Sequence, residues 1–351
     1  MNLFFRILLS PLSLLYGIFV GIYQGLYLSG IMRSVRFNIP VISIGNLTVG
    51  GTGKSPHAEY LIRLLRDYLP VGLISRGYLR KTRGHINVGI LSTAEEVGDE
   101  PLQIKLKFPE IPIAVNENRA YGIPMLLKHH PDIKTIIMDD GYQHLQVKPG
   151  LNILLTDFNH LYADDYLLPS GRLREWRYGS SRADVVVVTK CPEQLSTETK
   201  QSISQKLRIE SKQKLFFSRI AYGVPYNFLN TNENFPLNPG LEIILISGIA
   251  QSENLLQYLY SMTASVKEFK YEDHHFFSTD EITHVIKTYK SISHFNKILL
   301  TTEKDAVRMK KYESLFIENE IKVYAIPIEI DFDQKQEFDR FIKEYLLNFK
   351  A

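Results

Sequence analysis

The most regular feature of the chain is an alternation. Apolar runs of strand length recur at 40–44, 71–75, 111–115, 135–138, 151–156 and 185–189. Segments with helical apolar spacing, such as 119–128, lie between several of them. Continuous apolar strands alternating with helices predict a mostly parallel sheet covered by helices on both faces, an α/β fold. Residues 214–222 form a further extended run, and 223–240, rich in Asn and Pro, reads as a loop at a domain boundary. Beyond it the alternation restarts. Strands are expected at 243–247, 266–271, 298–302 and 323–328, with helices from Ser252 and Thr279 and a final amphipathic helix over 334–349. The expected division is an apolar N-terminal helix (1–36), a larger lobe (37–222) and a smaller α/β lobe (223–351) that closes a cleft against it.

The N-terminus breaks this pattern. No charged residue lies between Arg6 and Arg33, a stretch long enough to span a bilayer, although Pro11, Gln24 and several glycines interrupt it. Tyr16, Phe19, Tyr23 and Tyr27 form an aromatic stripe on one helical face. Gly17, Gly21 and Gly25 form a small-residue face on which another helix could pack. Arg33 and Arg36 follow, placed to meet anionic headgroups. Arg6 alone makes a poor positive region for a cleaved signal. A half-inserted, peripheral helix is the expectation, against a full span or a helix buried on the sheet.

Between the first strand and the next helix runs Ile44-Gly-Asn-Leu-Thr-Val-Gly-Gly-Thr-Gly-Lys-Ser55. Strand, glycine loop, Lys-Ser and helix are the context of a phosphate-binding loop. Thr48 stands where the strict motif has its first glycine, and Gly50, Gly51 and Gly53 supply the freedom to turn backbone N–H groups onto phosphate oxygens. Lys54 would reach the outer phosphates and Ser55 a Mg²⁺ ion. Downstream, an apolar strand ends in Asp139-Asp140-Gly-Tyr-Gln143-His144, where a nucleotide-binding sheet places its Mg²⁺ ligands. Asp99 sits at the start of a helix, where it would cap the helix or face the cleft. In Asp273-His274-His275 no third ligand of matching spacing makes a zinc site; a histidine there could instead orient a carboxylate. Arg76, Arg119, Arg172 and Arg174 lie in turn contexts, where an arginine near the loop can stabilise phosphoryl charge.

Composition narrows the function by exclusion. A formal charge of +3 gives no argument for nucleic acid, and the single cysteine, Cys191, excludes an intramolecular disulfide. The run Thr189-Lys-Cys-Pro192 lacks the Asn and Asp with which GTPases read guanine.

Taken in order, the loop from Gly45 to Pro56, Ser75-Arg-Gly-Tyr78, Gly98-Asp-Glu-Pro101, Asp139-Asp-Gly-Tyr-Gln-His144, Leu173-Arg-Glu175, Asp273-His-His275 and Thr302-Glu-Lys-Asp-Ala306 resemble the tetraacyldisaccharide 4′-kinases of the lipid A pathway. The resemblance spans almost the whole chain. Thr48 is the family's own form, and Ser55 replaces the commoner Thr while keeping the hydroxyl. The resemblance implies transfer of the ATP γ-phosphate, with Mg²⁺, to the 4′-hydroxyl of an acylated disaccharide 1-phosphate at the cytoplasmic face of the bacterial inner membrane. It implies a peripheral enzyme of two lobes with a bilayer-touching N-terminal helix. It implies that Thr48, Val49, Gly50, Gly51, Thr52, Gly53, Lys54 and Ser55 hold phosphate, and that Ser55, Asp139 and Asp140 serve the metal. Asp99 would be the general base and His274 its partner. Arg119 would support catalysis, and Gln143 and Arg174 the nucleotide. The reading of another class is a membrane-associated P-loop NTPase switch or scaffold, which would hydrolyse nucleotide without an acceptor lipid and would not obviously need Asp99 and His274.

Overall fold

The computed structural model describes residues 3–249 and 252–350. In chain order, helix α1 (Leu3–Leu28) precedes β1 (Val41–Asn46), α2 (Lys54–Leu65), β2 (Val71–Ser75), β3 (Ile86–Asn87), α3 (Ala94–Val97), α4 (Asp99–Lys107), β4 (Ile113–Val115) and α5 (Arg119–His129). Then come β5 (Thr135–Asp139), β6 (Leu151–Asp157), β7 (Val185–Thr189), α6 (Thr197–Leu207) and β8 (Lys214–Tyr222). The second run holds β9 (Tyr226–Asn227), β10 (Asn230–Asn234), β11 (Glu242–Ser247), α7 (Glu253–Met262), β12 (Ser265–Lys270), α8 (Thr279–Ser291), β13 (Lys297–Thr302), α9 (Glu303–Met309), α10 (Glu313–Glu318) and β14 (Val323–Ile326). The chain ends with β15 (Ile328–Phe332) and α11 (Lys335–Leu347).

Two sheets result. The larger has the order β15-β8-β7-β6-β1-β5-β2-β4-β3 and is parallel except at its edges, where β15 runs against β8 and β3 against β4. Every residue of β1, β2, β5 and β7 is buried, as expected of strands covered on both faces. Alternate residues of β1 go to opposite cores: Ile42 and Ile44 pack with α2 and α11, and Val41 packs with Ile123 and Leu126 of α5. The smaller sheet has the order β10-β9-β14-β13-β11-β12.

The lobes divide differently from the expected cut at 222/223. Residues 323–328 are not one strand: Pro327, which has no N–H to donate, separates β14 of the smaller sheet from β15 of the larger. The tail of the expected 223–351 lobe therefore belongs to the larger one. Phe332 and Phe338 stack at 4.1 Å, both meet Tyr60 of α2 edge-on, and the Tyr60 hydroxyl donates to Asp339 at 2.5 Å. Nor is 223–240 simply a loop. It carries the β9–β10 hairpin, which adds an antiparallel edge to the smaller sheet. The chain crosses between lobes twice, side by side, with Gly223 N–H donating to Pro327 O at 3.0 Å.

Helix α1 is long and apolar enough, by length and composition, to cross a membrane. It lies along the larger lobe on one narrow face and leaves Phe4, Ile7, Leu8, Phe19 and Leu28 exposed. Its attachments are polar. Ser13 Oγ donates to Leu167 O and meets Ser170 Oγ at 2.7 Å, the Tyr16 hydroxyl donates to Arg174 O at 2.7 Å, and Gln24 donates to Glu175. The glycine face receives a ring rather than a helix: Trp176 donates its indole N–H to Gly17 O at 2.7 Å, and a Cβ on Gly17 would lie 2.5 Å from that ring.

The placement of α11 generates a stability prediction. Phe338→Ala should cost about 3–5 kcal/mol. The loss should appear in the unfolding transition reported by the fluorescence of Trp176, the only tryptophan, which lies on the larger lobe. An unchanged Trp176 transition would return α11 to the smaller lobe.

Candidate active site

The phosphate-loop sequence folds as its residue types require. Gly50 and Gly53 take positive φ, 105° and 85°, and Gly53 caps α2 in the left-handed conformation that glycine accepts without strain. Asn46, fully buried at the end of β1, donates to Thr52 Oγ1 at 2.9 Å and so ties the two ends of the loop. The loop's near side is held by the segment after residue 165. Thr48 bridges Leu173, Val49 N–H donates to Arg172 O at 2.7 Å, and Arg174 N–H donates to Leu47 O at 2.7 Å. Loop residues from Val49 to Ser55 line a cleft of about 520 Å³ between the lobes, together with Asp99, Glu100, Asp139, Asp140, Arg174, His274 and Lys304. Thr48, Arg119 and Gln143 lie behind its wall.

The carboxylates of the cleft differ in how they are compensated. Asp140 lies 3.5 Å from Lys54 Nζ and 3.1 Å from Arg174. Burial would raise its carboxyl, but the charges of Lys54 and Arg174 outweigh burial and hold it well below the usual range. Asp139 is buried and accepts one hydrogen bond, from Ser75 at 3.2 Å, while its Oδ1 has no partner. Burial first, then the carboxylates of Glu100 and Asp140, push Asp139 up to about 7. Ser55 Oγ points into the same corner and donates to Glu100 at 2.9 Å. Among the described residues no cluster of three His, Cys, Asp or Glu forms a cage for a metal. An orphaned carboxylate oxygen, a hydroxyl and surplus negative charge fit Mg²⁺, which draws much of its octahedral shell from water and phosphate. Of the three expected ligands, Ser55 and Asp139 fit that role and Asp140 is already occupied by two cations.

Asp99 opens α4 and is buried against the second lobe. Its Oδ2 lies 2.9 Å from His274 Nδ1 and 2.9 Å from Arg308. Burial would raise this carboxyl; the His274 hydrogen bond, with the charges of Lys304, His274 and Arg308, overcomes it and brings it to about 2. His274 sits at φ 61°, a conformation uncommon outside glycine, with its N–H on Gly248 O. Lys304 Nζ lies 3.0 Å from His274 Nε2 and donates to Asp273 at 3.0 Å. Lys304 and Asp99 thus hold the two ring nitrogens of His274 from opposite sides. His275 takes a different partner, Glu281, at 3.0 Å.

Arg119 does not face the cleft. It is buried, burial lowers its pKa to about 10, and it donates to Asp140 O at 3.1 Å, bracing the turn that carries both aspartates. Gln143 donates to Asn46 O at 2.7 Å and to Glu175 at 2.8 Å, behind the loop. The sequence reading assigned no role to Glu100, Lys304 or Arg308. The first two lie inside quoted motifs. Arg308 has only its helical spacing from Asp305, which it meets at 3.2 Å.

Two buried histidines make the site acid-sensitive. His144 Nε2 accepts the Arg119 N–H at 3.0 Å, and burial lowers it to about 4; burial likewise lowers His57, bonded to Gly53 O, to about 4. Between about 6.5 and 4 the unfolded chain binds protons that the folded chain does not, so stability falls as pH falls through that window. Thermal melts from pH 7 to 4 should show this drop. His144→Asn should flatten part of it, and an identical slope in that variant would remove His144 from the account.

The family model described as tetraacyldisaccharide-1-P 4′-kinase, LpxK, matches residues 5–347. A tetraacyldisaccharide 4′-kinase of Bacteroides thetaiotaomicron is 42% identical over 344 residues, covering 95% of this chain and 90% of that protein. That of Flavobacterium johnsoniae is 40% identical over 347 residues, covering 99% and 98%. Among solved structures, LpxK from Aquifex aeolicus in complex with ATP superposes with a TM-score of 0.74 at 27% identity, covering 97% of this chain and 99% of that one. With the ordered motifs, the two-lobed cleft and these matches in hand, the chain belongs to the tetraacyldisaccharide 4′-kinase family.

Proposed function

We propose that this protein transfers the γ-phosphate of ATP to the 4′-hydroxyl of a tetraacyldisaccharide 1-phosphate, as a step of lipid A synthesis. The observation that carries the reading is the Asp99–His274 pair, 2.9 Å apart and drawn from different lobes, in the cleft that Lys54 and Ser55 also line. A nucleotide switch has no task for such a pair.

In this reading the loop from Thr48 to Ser55 cradles the triphosphate and Lys54, released from Asp140, neutralises its outer oxygens. Arg174 stays with Asp140 and presents a second cation. Mg²⁺, held by Ser55 and Asp139 with Glu100 close by, supplies charge neutralisation on the phosphates when bound. Asp99 accepts the proton of the sugar hydroxyl. A carboxyl near 2 is a weak base, which suits a loose phosphoryl transition state in which the hydroxyl loses its proton late. His274 orients Asp99, and Lys304 holds the far side of its ring. Arg119 and Gln143 act as braces behind the site. The enzyme works as a peripheral protein on the cytoplasmic face of the inner membrane, the exposed side of α1 resting among acyl chains while the headgroup reaches the cleft.

Labelled ATP incubated with an acylated disaccharide 1-phosphate should yield labelled product at the 4′ position; hydrolysis that ignores the acceptor lipid would favour the switch. Lys54→Ala should remove most of this activity in a folded protein. Asp99→Ala should lower kcat by roughly 10²–10⁴-fold with little change in KM for ATP. His274→Ala should be milder, and the double variant clearly less than additive. Fully additive losses would dissolve the pair.

A further inference from the structure

The polar residue in the middle of an apolar helix calls for an account. Gln24 is 3% exposed on α1, and its amide donates to Glu175, a carboxylate with no exposed surface. Burying a carboxylate is costly unless its lone pairs are matched. Glu175 is matched by Arg182, at 2.8 and 3.0 Å to its two oxygens, by Gln143 at 2.8 Å, and by Gln24. Gln143 Nε2 divides its two hydrogens between Glu175 Oε1 and Asn46 O. Asn46 in turn donates to Thr52 Oγ1 at 2.9 Å inside the phosphate loop. A continuous line of hydrogen bonds, buried at both ends and half-buried at Gln143, thus runs from α1 to the loop: Gln24, Glu175, Gln143, Asn46, Thr52.

We infer that Gln24 is a positioning residue through which the seated N-terminal helix holds the phosphate loop in its ATP-binding shape. The inference rests on the reading of this loop as the ATP site. The logic is that of a shared acceptor. With Gln24 seated, Glu175 has a donor on every side and holds Gln143 in place. Without it, Glu175 Oε2 keeps only Arg182, the carboxylate can rotate toward that guanidinium, and Gln143 loses the partner that fixes its second hydrogen on Asn46 O. Backbone contacts run in parallel, since Tyr16 holds Arg174 O while Arg174 N–H holds Leu47 O. The helix is thereby a structural part of the nucleotide site as well as a membrane-facing element.

The test uses the full chain in detergent, with Mg-ATP as the probe and pelleting with phosphatidylethanolamine–phosphatidylglycerol vesicles as the second readout. Gln24→Leu should raise the Kd for ATP about tenfold, the loss of a hydrogen bond to a charged group, and leave vesicle pelleting unchanged because the exposed face is intact. Gln143→Leu should weaken ATP similarly, and the double variant should be little worse than either. If Gln24→Leu does not fold, two other variants decide. Gln24→Lys keeps a donor for Glu175 and should stay within about threefold of the unaltered protein, whereas Gln24→Glu opposes two carboxylates and should lose ATP affinity. Equal ATP affinity in the Lys and Glu variants, unchanged affinity in a folded Gln24→Leu, or additive losses in the double variant would overturn the relay alone. Failure of the unaltered protein to bind ATP would overturn the reading of the loop itself.

Discussion

Six carboxylates line one cleft, and most of the site follows from how the charge of four of them is balanced. Asp140 takes Lys54 and Arg174; Asp99 takes Arg308 and His274, which Lys304 backs; Glu100 takes the Ser55 hydroxyl and lies 3.7 Å from Lys304. Asp139 is left without a cation, and its raised pKa is the electrostatic trace of that deficit. The cations come from three different places: the phosphate loop, the segment that braces it, and α9 of the second lobe. The site is therefore balanced only when the lobes and that segment are assembled together. Asp99 meets His274 and Arg308 across the lobe boundary, so the same contacts that compensate its charge also register one lobe against the other.

Behind the site the same principle recurs with Glu59, Lys107 and Glu303. Lys107, at the end of α4, lies 2.8 Å from Glu59 on α2 and 2.6 Å from Glu303 on α9 of the second lobe. Tyr226 donates to Glu303 at 3.0 Å. The helix that begins with Asp99 is thus fastened to the second lobe at both of its ends, which fixes its axis as well as its first residue.

Local pattern made the sheet legible. The runs at 71–75 and 185–189 coincide with β2 and β7, because strands covered on both faces must be apolar throughout, and the partly exposed run at 214–222 coincides with β8. The phosphate loop was legible because its chemistry is consecutive in sequence. What local pattern does not carry is partnership. Nothing in the run 323–328 says that its halves enter different sheets, and Pro327 marks the break without saying where the second half goes. The Asn-rich stretch after Gly223 hides a hairpin because the strands are short and polar. Asp99 and His274 are 175 positions apart, and their pairing came from the family resemblance rather than from spacing. Arg308 carries no motif that would separate it from a surface charge. Of the α1 glycines expected to form a packing face, Gly17 has a close neighbour, the indole of Trp176 rather than a helix, Gly21 makes only ordinary contact, and Gly25 has nothing within 4 Å.

The return of the last strand and helix to the larger lobe has a consequence for biosynthesis. Ile328 sits in register with Tyr222, so the smaller lobe is an insertion whose two ends leave the larger sheet side by side. The helix behind the phosphate loop rests on Phe332 and Phe338, which are made only after the whole insertion. A ribosome-bound chain must translate the whole insertion before the nucleotide lobe can close its core. During that interval the apolar back of α2 lacks its cover. The insertion therefore delays closure of the nucleotide lobe's core, and the waiting apolar surface is where an unfinished chain would meet its neighbours.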